Sequence, residues 1–213
     1  MKALSQTKIQ QLTLELERLI RRTPTETSRI KDFYVFSYPH LLAGEGRRVE
    51  AGCWTVEEVA RRFTSVYGWM PCSPKSHNEA AIEQLVGLLN ADASLEALMP
   101  VASSCLSNSL VAASKFIHWE RPTTAPMFDS NLEAAYWPET TTRLAYLPTA
   151  VRRYLEWAAA IQAVAPELKE RAQRWALATF GYEVSAVRAI EAMAFYLGRG
   201  KSSPGAVPFP QAA

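Results

Sequence analysis

Residues 103 to 135 read SSCLSNSLVAASKFIHWERPTTAPMFDSNLEAA, and this stretch decides the fold. A serine-rich polar turn comes first. Leu110 to Trp119 then has helical character and stops before Arg121-Pro122. A proline-bounded loop leads to Asp129, whose place ahead of Ser130-Asn131-Leu132 is that of a helix N-cap, with the helix running to Tyr136. Helical patterns continue on both sides. Downstream they cover Pro148 to Ala163, Glu167 to Phe180 and Ser185 to Leu197. Upstream, Gln6 to Arg22 sets Ile9, Leu12, Leu16, Leu19 and Ile20 on one stripe of an amphipathic helix. Thr55-Val-Glu-Glu58 is a capping box that opens a helix to about Tyr67, with Gly68 as its stop. Asn78 to Leu89 and Ser94 to Met99 add two more. Phe33 to Phe36 (FYVF) is the single strand-like run, and a turn-rich stretch with Pro39, Gly44 and Gly46 follows it. The expectation is an all-α fold of nine or so helices, in two lobes around a cleft. One domain would span 1–197, with a flexible Gly/Pro-rich tail over 198–213.

Composition narrows the function classes. The chain has 213 residues, enough to bury one sizeable core without a disulfide or metal staple. Lys plus Arg is 23 against 21 for Asp plus Glu, so the net charge of +2 excludes a histone-like polyanion binder but not a local basic patch. Cys53, Cys72 and Cys105 are odd in number, and no CxxC occurs, so neither a disulfide framework nor a zinc ribbon is supported. His40, His77 and His118 are too scattered for a metal helix. No metal and no cofactor is expected. Ala97 to Ser114 is charge-free but holds Pro100 and many serines, so it is no membrane span. No signal peptide is read at the N-terminus, and a reducing, bacterial-type cytoplasm is the expected location.

The chemistry-bearing residues cluster in the quoted stretch. Asp129 has two readings. It caps a helix, or it supplies a carboxylate to a site that excludes water, and both can hold at once. Lys115 has three: a nucleophile with a pKa lowered by burial, a phosphate contact, or a helix lysine paired with Asp129 or Glu120. Trp119, Phe128, Tyr136 and Trp137 bracket the Lys-Asp segment, where they are either core or a stack for a flat ligand. Arg21-Arg22, Arg47-Arg48, Arg61-Arg62 and Arg152-Arg153 are solvated edges that together would line a phosphate-facing surface. Gly44-Glu-Gly46-Arg-Arg48 lacks the Gly-Lys-Ser/Thr of a P-loop. Ser107, His118 and Asp129 have no nucleophile elbow to make them a hydrolase triad.

Pro126-Met-Phe-Asp129-Ser-Asn-Leu132 resembles the Pro-x-Asp loop of the helix-hairpin-helix DNA glycosylases, in particular 8-oxoguanine-glycosylase-like bacterial proteins. Ala113-Ser-Lys-Phe-Ile-His-Trp119, followed by that loop, is similar to short members encoded in anti-phage operons of the type IV CBASS kind. The resemblance covers about a third of the chain. It implies an N-glycosylase acting on an oxidised or deaza-type guanine, in DNA or in a related nucleobase conjugate. Asp129 would be the catalytic carboxylate and Lys115 an assisting cation or nucleophile. Ser107, Asn108, Trp119, Arg121, Phe128 and Trp137 would contact base or nucleic acid. Phe195 and Tyr196 fall on the last helix, where such relatives place a stacking aromatic. Operon-encoded protein partners are also implied.

Two departures stand against this pattern. The hairpin, expected at Ser104 to Asn108, has no glycine where the family has Gly-x-Gly. An ungapped alignment also puts Leu110 in the place of the family's nucleophilic lysine. Lys115, five residues on, then points about 140° away. That register implies a weak or absent borohydride-trappable intermediate. The alternative function is a non-catalytic module that binds nucleic acid, a nucleobase or a partner protein.

Overall fold

The apolar stripe of the first segment folds as expected: Ile9, Leu12, Leu16 and Ile20 are buried along α1 (Gln6–Arg22). The computed structural model describes residues 3–26, 28–45, 53–70, 72–137 and 148–198. Nine further helices follow in these residues: α2 (Phe33–Glu45), α3 (Val56–Trp69), α4 (Glu79–Asn90), α5 (Leu95–Cys105) and α6 (Leu110–Glu120), then α7 (Ser130–Tyr136), α8 (Pro148–Ala163), α9 (Pro166–Phe180) and α10 (Ala186–Gly198). The fold is all-α. Among the described residues extended backbone pairs only in an isolated bridge between His77 and Leu106.

Side-chain caps set most of the helix starts. Ser5, Thr55, Asn78, Ser109 and Asp129 each accept a backbone N–H from the first turn of α1, α3, α4, α6 and α7. Gly181 ends α9 in a left-handed conformation, φ 84°. That backbone strains any L side chain, and a Cβ there would also displace the Arg29 guanidinium, whose carbon would stand 2.9 Å away.

The helices pack in two groups. α3, α4, α5 and α6 form one, and α1, α8, α9 and α10 the other. A single continuous set of buried side chains runs through both, with α5 against α8 as one bridge. α7 rests on α10, and α2 rests on α6. Residues 199–213, most of the expected tail, lie outside the described residues. Gly198, where that tail was to begin, is the last residue of α10.

Two segments differ from their sequence reading. Residues 33–36 are not a strand but the first turn of α2. Asp32 opens that helix by accepting the N–H of Tyr34 at 2.7 Å. Pro39, read as part of a turn-rich stretch, lies inside the helix. It has no N–H, so the carbonyl of Val35 loses its helical donor. The Tyr182 hydroxyl donates to that carbonyl instead, at 2.6 Å. Gly44 is also helical, while Gly46, Arg47 and Arg48 lie outside the described residues. The second segment is α5, which runs on past Met99 and through Pro100 to Cys105.

Candidate active site

The turn between α5 and α6 is shorter than Ser104 to Asn108, because Ser104 and Cys105 are still helical. Ser107 and Asn108 carry it, with φ of 53° and 51°. These are left-handed conformations that favour glycine, and asparagine tolerates them better than serine does. Ser107 is held there by its neighbours. Its hydroxyl accepts the N–H groups of Lys75 (2.6 Å) and Ser76 (3.2 Å), and its own N–H donates to the Ser76 carbonyl at 3.0 Å. The chain thus makes a hairpin turn without glycine by bracing it from residues 75–77.

Beside this turn lies a cleft of about 790 Å³. Its walls come from the start of α2, the end of α3, the segment after it, the α5–α6 turn, α6, the loop before α7 with the first turn of α7, and α10. Lys115, Phe128 and Asp129 line it, as do Ser107, Asn108, Phe195 and Tyr196.

Asp129 and Lys115 are held in register by their chain neighbours. Ser114 accepts the N–H of Phe128 at 3.0 Å and donates its own hydrogen to a main-chain carbonyl, that of Val111 at 2.9 Å or of Phe128 at 3.1 Å. One turn further on, the His118 ring nitrogen Nδ1 lies 2.6 Å from the Ala125 carbonyl. A carbonyl only accepts, so Nδ1 carries the hydrogen. Nε2, 2.7 Å from the Tyr38 hydroxyl, is then the acceptor. Two side chains of α6 therefore fasten residues 125–128 along the helix. Lys115 and Asp129, next to these ties, both face the cleft.

Asp129 keeps both of its readings. Its Oδ1 accepts the N–H groups of Asn131 and Leu132, each at 2.9 Å, as a helix cap does. Its Oδ2 has no hydrogen-bond partner among the described residues and is left for a ligand.

Lys115 is half-buried, and what remains exposed opens into the cleft. Among the described residues its ammonium has neither a hydrogen bond nor an ion pair. The pairing with Glu120 is excluded, since Glu120 accepts from Arg62 at 3.0 Å. Burial lowers the Lys115 pKa below the ordinary lysine range, while the charges of Asp129 and Glu191 oppose that shift. A larger share of neutral amine at neutral pH is the result.

Leu110, which the ungapped alignment put in the place of the family's lysine, is not among the residues that line the cleft. Leu110 is fully buried in the core, and the side of α6 turned to the cleft carries Val111 and Lys115. The lysine is on the cleft-facing side after all.

Four expected ligand contacts are taken up by the core or by other partners, Phe128 among them at 2% exposed, with its ring against Trp137 and Tyr154. Trp119 is 1% exposed and packs on Trp69 at 5.7 Å between ring centroids, in the core. Arg121 ties the end of α6 to the α4–α5 turn, donating to the Ala93 carbonyl (2.7 Å) and to Asp92 (2.6 Å). Trp137 is 3% exposed, meets Phe128 edge-on at 5.9 Å and has the Lys8 ammonium 5.2 Å from its ring centroid. The triad is excluded, because His118 is held in the core by Tyr38 and Ala125.

Several members of the basic pairs are engaged in ion pairs among the described residues. Arg62 is 1% exposed, stacked 4.4 Å from the centroid of Trp54 and paired with Glu120. Arg153 pairs with Glu133 at 2.9 Å, and Arg61 with Glu58 at 2.6 Å. Arg47 and Arg48 lie outside the described residues.

Sequence reading missed two residues of the cleft wall, Arg188 and Glu191 on α10. They form a buried ion pair, and Arg188 also stacks 4.8 Å from the centroid of Tyr38. Burial alone would weaken the hold of Arg188 on its proton, but the charge and hydrogen bond of Glu191, with Tyr38 and Tyr196 nearby, together outweigh it and keep the guanidinium charged. Their signal was two charges three residues apart in the otherwise apolar run Ala186 to Leu197.

His118 gives this site an acid limit. Burial, with Arg188 nearby, pushes its imidazole from 6.5 down to about 3. Below pH 6.5 the unfolded chain takes up a proton that the folded chain refuses. Stability therefore falls as pH drops from 6.5 towards 3, by about 3 kcal/mol at pH 4. Urea unfolding across that window should show the slope, and His118→Gln should flatten it.

The cleft thus offers an unpaired amine, a carboxylate with one free oxygen, a buried donor–acceptor pair and the half-buried ring of Phe195. This is a set suited to a flat polar ligand attacked at a carbon atom. Comparisons with protein-family models, with curated proteins and with solved structures find no match.

Proposed function

We propose that the cleft is the active site of an N-glycosylase that acts on a modified guanine-type base in DNA or a related nucleobase conjugate. One observation carries the proposal: an unpaired, half-buried lysine and a carboxylate with a free oxygen share one cleft, fixed in register by the Ser114–Phe128 ties. In the reaction, neutral Lys115 Nζ attacks the sugar C1′ carbon. The bond from C1′ to the base nitrogen breaks, and its electron pair leaves with the base, which takes up a proton. The amine loses a proton to the departing base, the ring oxygen leaves C1′ and takes up a proton from water to become a hydroxyl, and a protonated imine joins Lys115 to the opened sugar. Positive charge builds on the sugar as the base leaves, and the Asp129 carboxylate stabilises it. Phe195 supplies an apolar face for the base.

The alternative of a non-catalytic module drew on Leu110 in the lysine's place and on the missing glycines. Leu110 now belongs to the core, and Ser107 with Asn108 adopts the left-handed turn unaided by glycine. Both arguments for it therefore weaken.

The test is borohydride reduction on an oligonucleotide carrying an oxidised guanine. A covalent adduct should form and be lost in Lys115→Gln. Its rate should rise with pH as the amine loses its proton, and level off below the ordinary lysine pKa of 10.5. An adduct of undiminished yield in Lys115→Gln would refute the assignment.

A further inference from the structure

We propose that the outer face of α2 is a stacking platform for unpaired bases beside the cleft, so that the protein takes its nucleic acid as a single strand. The inference rests on the nucleobase reading of the cleft and names the form of its substrate. Phe33 and Phe36 are each 68% exposed, more than any other large apolar side chain described. With His40 they lie within about 60° of arc on the helix. The ring of Phe33 meets Tyr34, which lines the cleft, edge-on at 6.3 Å, and that of Phe36 lies 5.4 Å from the His40 ring. The aromatic surface therefore runs outward from the cleft rim along α2. The other exposed aliphatic side chains, Leu14, Val56 and Leu177, lie one each on α1, α3 and α9.

The charges around this face suit a phosphate backbone. Arg29 and Lys31 are exposed just before α2 and have no ion-pair partner among the described residues. Asp32, the one acid between residues 28 and 44, is engaged by the Tyr34 N–H and by the Tyr196 hydroxyl at 3.3 Å. Two cations and a net charge of +2 give little phosphate attraction, so stacking must supply most of the affinity. In a duplex the base faces are covered by their neighbours. Only unpaired bases offer them to Phe33 and Phe36. Phenylalanine makes no hydrogen bond to a base edge, so the platform tolerates any sequence.

Binding of a fluorescein-labelled oligothymidine strand, and of the same strand in duplex, tests this by anisotropy. The full chain is compared with its Phe33→Ala/Phe36→Ala and Phe33→Trp/Phe36→Trp variants. The single strand should bind more tightly than the duplex. The alanine variant should lose about tenfold or more for the strand, and tryptophan should restore it. A 2-aminopurine placed in the strand should be quenched by the native chain and not by the alanine variant. Both side chains are exposed, so circular dichroism and the melting temperature should be unchanged. Equal binding of duplex and strand, or an alanine variant that binds like the native chain, overturns the proposal. A concentration-dependent dimer abolished by the alanine variant, with no effect on the strand, also overturns it and makes the face a self-interface. The probes hold no excisable base and need no reduction. Failure here therefore leaves the Lys115 adduct to be judged separately, and loss of that adduct leaves the stacking result standing.

Discussion

Replacing Arg188 by methionine should lower the unfolding free energy by about 3–5 kcal/mol. The residue is 6% exposed and Glu191 3%. Removing the cation leaves the carboxylate buried without its partner, and the face of Tyr38 without the guanidinium stacked on it. Glu191 answers by holding its proton to higher pH, since burial already raises its pKa. The expected loss is a large part of the stability of an ordinary domain, about 5–15 kcal/mol. Denaturant unfolding reads it directly. Arg188→Met/Glu191→Met, which removes both charges, should recover much of the loss. If the single variant is as stable as the native chain, the pair is solvated and does not form the cleft wall described here.

Asp129→Asn should cut base excision by about 10²–10³-fold while leaving the fold intact. The amide oxygen of asparagine can take over the two N–H bonds that Oδ1 accepts, so the start of α7 is kept. What is lost is the negative charge on the oxygen that faces the cleft. Unfolding curves of the two proteins should therefore coincide within about 0.5 kcal/mol. Full excision activity in the variant would remove Asp129 from the chemistry and leave it a cap alone.

Much of this architecture was legible in the residues. The stripe of α1, the Thr55 cap, the start of α6 and the Asp129 cap follow from periodicity and side-chain oxygens at fixed offsets. These are local signals, and the local backbone obeys them. Phe33 to Phe36 was misread because it is apolar on every side and so shows no helical period. In the structure the surplus aromatics stay outside, on a helix that Asp32 opens and Tyr182 repairs at Pro39. Trp119, Arg121 and Trp137 were misplaced for a different reason. Periodicity separates buried from exposed, but it does not tell a core from a cleft wall. The facing side of α6 depended on an alignment register that local sequence does not fix. Arg188 and Glu191 went unnoticed because their meaning arises from residues distant in sequence, such as Tyr38 and Lys115, that meet them at the cleft.

The central claim is that Lys115 is the amine that reacts. Digestion of the borohydride-reduced complex with an oxidised-guanine oligonucleotide, followed by mass spectrometry of the peptides, tests it most directly. The reduced sugar adduct should lie on the peptide that contains Lys115, at the lysine nitrogen. An adduct on Lys75, the other lysine lining the cleft, or free base released with no adduct at all, would contradict it.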